Sequence, residues 1–214
     1  MPAIINRKRR TLCGFTIVEL LIAMLVGTTL VAMTLPLLLK LERNFRSAGD
    51  ARVVNGQISL AKLRAAADFT RARVYADTTA NTLSVQIWCK TVVADCVTAN
   101  TWLTESVVAT LSTGDTFGYG SLSTPPSNTQ TTMGQASACQ TDGQTIAATA
   151  GTVSNSACVI FNSRGIPIDS TGAPTGQDAI YITDGTSVYG ATLMATGLVK
   201  QWRTDIGTAN WKQR

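Results

Sequence analysis

The sequence has no histidine in its 214 residues. That absence removes the commonest general base, the Ser-His and Cys-His nucleophile pairs and most zinc sites. Hydrolytic enzyme readings therefore start low, and no cofactor is expected. Charge is also sparse, 14% of residues against 45% hydrophobic, so a disordered, charge-rich tail protein is excluded. No Cys-x-x-Cys occurs, which argues against a thiolate metal centre. Gly172 to Gly176 lacks the Lys-Ser/Thr that would follow in a phosphate-binding loop. Asp169, Asp178 and Asp184 do not have EF-hand spacing for calcium, and loop aspartates commonly cap turns.

What charge there is lies unevenly. The net +5 comes from 18 basic and 13 acidic residues, and Arg7, Lys8, Arg9 and Arg10 supply four of the cations. Without that cluster the chain is nearly neutral, so the net charge by itself does not indicate a nucleic-acid partner.

From Phe15 to Leu39 the only charge is Glu19, and Lys40 closes the run. As a helix this stretch reaches roughly 37 Å, enough to cross a hydrocarbon core of about 30 Å. The basic cluster before it favours an N-terminus on the cytoplasmic side, although Lys40, Arg43 and Arg46 reduce the asymmetry. A secretory signal peptide fits less well: the run exceeds the ~7–15 apolar residues of such a signal, and no Ala-x-Ala lies at its outer end.

Glu19 needs a reason, since an acid at mid-span costs on the order of 2.5–3.5 kcal/mol on insertion scales. Cleavage between Gly14 and Phe15 would create an α-amino cation one helical turn away, or on a neighbouring chain. The segment Gly14-Phe15-Thr16-Ile17-Val18-Glu19-Leu20, after a basic cluster and before an apolar run, resembles the class III signal of type IV prepilins. The resemblance implies cleavage by prepilin peptidase after Gly14, N-methylation of Phe15 and a role for Glu19 in assembly. Pro36 falls where such stems often carry a proline. The leader is longer than in many major pilins, and Cys13 directly precedes the cleaved glycine.

Beyond the span, Val54, Ile58, Ala61, Ala65, Phe69 and Ala72 recur at helical intervals and predict a helix continuing from Lys40 to about Val74. Gly49 and Gly56 would weaken it locally. The basic surplus along this segment reads as a solvated helix face. After Asp77 alternation replaces the helical period. Leu83, Val85, Ile87 and Cys89 mark one strand, Ser106 to Leu111 a second and Cys158 to Phe161 a third. Asp184-Gly185 marks a hairpin between Ala179–Thr183 and Thr186–Met194, and Thr196-Gly197 leads into Leu198–Trp202, predicting a closing β-meander. Residues 112–156 show neither period and read as a long surface loop. The division is a leader over 1–14, a membrane helix over 15–39, a periplasmic helical stem over 40–78 and a β-rich head over 79–214. The fold class is α+β, a long N-terminal membrane helix packed on an antiparallel β-sheet head.

Removing a leader that carries Cys13 leaves Cys89, Cys96, Cys139 and Cys158, the even number expected in an oxidising compartment. Their connectivity is open on sequence alone. Pairing Cys89 with Cys96 and Cys139 with Cys158 would close short loops.

The runs Val159–Pro167, Ala179–Gly185 and Gly197–Lys200 are similar to the C-terminal half of the GspH/FimT family, minor pilins of type IV pili and minor pseudopilins of type II secretion. The resemblance covers both ends of the chain and omits residues 112–156. It implies a structural subunit near a filament tip, held first in the bacterial inner membrane with a periplasmic head. Its partners would be other major and minor pilins or pseudopilins. Some FimT-like pilins bind DNA through a Gly-Arg-x-Arg-like element. Here Gly197-Leu198-Val199-Lys200 stands in that place, so Lys200 and Arg203, beside Trp202 and Trp211, are only candidates for DNA contact.

Overall fold

The computed structural model of the chain describes residues 16–92, 96–105, 107–141, 151–169 and 171–214. The leader, the Gly14-Phe15 junction and Ser106 lie outside the described residues.

The architecture is α+β: helix α1 (Ile17–Ala67), then β1 (Ala72–Asp77), β2 (Thr82–Cys89), β3 (Thr101–Thr104), β4 (Ala109–Thr110), β5 (Thr116–Phe117), β6 (Ser156–Phe161), β7 (Pro167–Ile168), β8 (Ala179–Thr183), β9 (Ser187–Leu193), β10 (Val199–Asp205) and β11 (Lys212–Gln213). The chain divides after Glu42 into two compact units. In the first unit the helix exposes its apolar residues, and α1 is the one described helix long and apolar enough to cross a membrane. Three of its threonines are satisfied locally. The hydroxyls of Thr28, Thr29 and Thr34 donate to carbonyls three or four residues earlier, the arrangement that lets threonine sit in an apolar helix.

In the second unit, from Arg43 onward, α1 turns a stripe inward: Ser47, Asp50, Ala51, Val54, Ile58, Ala61 and Ala65 are buried. Gly49 and Gly56 do not interrupt the helix. Two antiparallel sheets share the core with this stripe, one ordered β3-β2-β1-β6-β7 with β4 also on β2, the other β11-β10-β9-β8-β5. Val74, Val85, Val159 and Phe161 from the first sheet and Ile180, Ile182 and Leu193 from the second join Val54 and Ile58 in one cluster. The strands alternate as their sequences do: in β6, Ala157, Val159 and Phe161 point to the core, while Cys158 and Ile160 point away.

Three expectations are corrected. The helix ends at Ala67 rather than near Val74, and Ala72 opens strand β1. Phe69 takes a left-handed φ of 49° and is exposed, so the apolar stripe stops at Ala65. Ala72 fits both readings, as the next residue of the helical stripe and as the first of the alternating set Ala72, Val74 and Ala76. The strand wins because β1 lies between β2 and β6, with partners on both edges. The region from 107 to 111 forms only the short strand β4.

Described residues of 112–156 are not a free surface loop either. Leu122, Ala136 and Cys139 are buried, and β5 pairs with β8. Residues 135–139 run between the two sheets. Ala136 N–H donates to Ala179 O of β8 at 2.7 Å, and Cys158 N–H of β6 donates to Ser137 O at 2.8 Å. The meander β8-β9-β10 closes the fold as its turn dipeptides predict.

Candidate functional site

The first helical turn is built by a half capping box. Thr16 Oγ1 accepts the backbone N–H of Glu19 at 3.2 Å, which places Thr16 at the N-cap and Glu19 at the third helical position, where both residue types are favoured. The positive end of the helix dipole also favours a carboxylate there. Part of the reason for an acid at the start of an apolar run is therefore local, and the Thr-x-x-Glu spacing carries that signal in the sequence. Gly14 and Phe15 lie outside the described residues. Pro36 lies within the continuous helix.

In the head, Cys89 is disulfide-bonded to Cys96 and Cys139 to Cys158. The second bond ties the segment between the sheets to β6. On its other side Gln135 clamps β8: its Nε2 donates to Tyr181 O and its Oε1 accepts Tyr181 N–H, both at 2.7 Å. The Tyr181 hydroxyl donates to Gln130 Oε1 at 2.7 Å. Its ring lies over Gly190, the facing residue of β9, where a Cβ would come within 2.5 Å of the ring.

The sequence reading missed a buried acidic cluster where the helix meets the loop before β5. Asp50 accepts Ser112 N–H at 2.7 Å and the Ser112 hydroxyl at 3.0 Å. Asp115 accepts the Ser47 hydroxyl at 2.9 Å. Burial pushes the Asp115 carboxyl up to about 6, and the Asp50 carboxylate beside it acts in the same direction. Ser47 and Asp50 both fall on the stripe that continues through Val54 and Ile58, so two polar residues on a buried helix face were the available signal.

Lys200 and Arg203 are not brought together. Three residues apart on β10, they project from opposite faces of the strand. Arg203 lies on the helix side, donating to Asn44 Oδ1 at 3.3 Å and Ser187 Oγ at 3.4 Å, with Asp205 at 3.5 Å. Trp202 is buried and donates to Thr192 Oγ1 at 2.9 Å. Trp211 donates to Thr124 O at 2.8 Å and packs on Tyr181. Both indoles are thus committed to the fold. Asp169 and Asp184 cap turns, accepting from Thr171 and Ala173 and from Thr186 and Ser187, as the sequence suggests for loop aspartates. Among the described residues, no backbone N–H donates to the Asp178 carboxylate.

No protein-family model matches this chain, nor does any curated protein or any solved structure.

Proposed function

We propose that this chain is a minor type IV pilin or pseudopilin, a structural subunit rather than a catalyst. The observation that carries the reading is the helix itself. In α1, Ile17, Leu21, Leu25, Met33 and Leu37 are exposed, and the same helix supplies a buried stripe to the head. So much exposed apolar surface is untenable in water and needs lipid or a bundle of like helices. Together with Gly14-Phe15 and Glu19, this supports prepilin peptidase cleavage after Gly14, methylation of Phe15 and storage in the bacterial inner membrane with the head in the periplasm. Assembly with other major and minor pilins or pseudopilins would follow. There the helix would exchange lipid for its neighbours while Glu19 meets an amino terminus at low dielectric. The signal and stem serve pili and type II secretion pseudopili alike, and the C-terminal resemblance favours a place near the filament tip.

The test is incorporation. Glu19→Ala in the full chain should leave membrane insertion intact and sharply reduce recovery of the subunit in sheared filaments. Wild-type recovery of the variant in filaments contradicts the reading.

A further inference from the structure

On the side of the first sheet turned away from the helix, where the two sheets part, the head holds a cavity of about 420 Å³. Small-molecule sites commonly span ~300–1,000 Å³. Cys158 and Ile160 of β6 and Ile168 of β7 form an apolar floor, and Trp102 of β3 contributes an indole. Gln177 and Asp178, just before β8, and Ser137, from the segment between the sheets, add polar groups. The disulfide from Cys139 to Cys158 holds that wall in place.

Asp178 sets this cleft apart from the other loop acids. Among the described residues its carboxylate has no hydrogen-bond partner, and burial, with Asp169 nearby, pushes its pKa up to about 6. Nor do the Gln177 side-chain N–H₂ and the Ser137 hydroxyl meet a partner among the described residues, although Gln177 Oε1 accepts from Thr131. A partly desolvated acceptor, an amide donor and a hydroxyl above an apolar floor ask for a ligand with many hydroxyls and an apolar face. Charge narrows the class further. Asp169 and Asp178 disfavour phosphate or carboxylate ligands, while Arg71 in the same lining disfavours a cation.

We propose that this cleft binds a neutral saccharide, with sugar hydroxyls donating to Asp178 and pairing with Gln177 and Ser137 while a ring face rests on Ile160 and Ile168. The site does not depend on filament assembly, so the two readings can fail separately.

The experiment uses the full chain in a detergent without a sugar headgroup, probed with chitobiose, cellobiose and maltose by calorimetry and saturation-transfer NMR. At least one disaccharide should bind. Asp178→Asn, which keeps the shape and removes the charge, should weaken that binding about tenfold. Ser137→Lys, at an exposed rim position, should abolish it with an unchanged melting temperature. Absence of binding by all three sugars, or equal binding by wild type and both variants, overturns the proposal. Salt-sensitive binding of trilysine without sugar binding also overturns it, and assigns the cleft to basic peptides.

Discussion

The Asp115 carboxyl, from the loop before β5, lies beside the Asp50 carboxylate on the buried face of α1, and burial and that neighbouring charge both raise its pKa. Two carboxylates held this close disfavour charge on both, so a proton on Asp115 is stabilising. Asp115 Oδ2 is buried with no hydrogen-bond partner among the described residues, so a proton there also relieves an orphaned acceptor. Asp184, from the turn after β8, adds a third negative charge nearby, with Arg43 next to it.

This arrangement makes stability depend on pH with a defined sign. The Asp115 pKa is about 6 in the folded chain against 3.8 for the unperturbed group. The folded state therefore holds a proton that the unfolded state has released. Stability should fall as pH rises from about 4 through about 6 and level off above that. Asp115→Asn keeps the shape and removes the buried charge beside Asp50. It should raise the melting temperature at pH 7.5 and flatten the slope, by at most about 3 kcal/mol across the window. Asp178, also raised to about 6, should leave a smaller residual slope. Thermal melts of both proteins between pH 4 and 8 check this, and an unchanged slope in the variant would refute it.

Gly190→Ala should destabilise the head by roughly 1–3 kcal/mol, because an added methyl must displace a well-packed ring. Tyr181 is fully buried and anchored through its hydroxyl to Gln130, so it has little room to yield. Chemical denaturation measures the loss; a variant as stable as wild type would mean the ring moves freely.

Replacing Cys139 and Cys158 together by serine should cost ~2–4 kcal/mol, the usual range for a structural disulfide. The loss should be local at first. Amide exchange should quicken at Ala136 and Cys158, whose N–H groups bond across the segment between the sheets, while Val74 and Val85 stay protected. Uniform loss of protection would show that the segment is not a separate clasp.

The helical stripe through Val54, Ile58, Ala61 and Ala65 was legible in the sequence because burial on one helix face imposes its own period. Where it stops was not. Phe69 and Ala72 continue the spacing, and only pairing of β1 with strands that come later in the chain decides otherwise. Residues 135–139 were opaque for a related reason. Their order comes from a side-chain clamp between Gln135 and Tyr181 and from single bonds to two sheets, none of which imposes a local pattern. The separation of Lys200 from Arg203 was readable, since an odd interval on a strand puts two side chains on opposite faces. The Asp50–Asp115 contact joins residues far apart in sequence, and only the misplaced polarity of Ser47 and Asp50 on an apolar stripe pointed to it.

The most direct test of the filament reading is the N-terminal peptide mass of the full-length gene product recovered from membranes of cells containing prepilin peptidase. The account predicts a chain that begins at Phe15 with a methylated amino group. Recovery of an uncut chain still carrying Arg7 to Arg10, or of one beginning beyond Leu39, would contradict it.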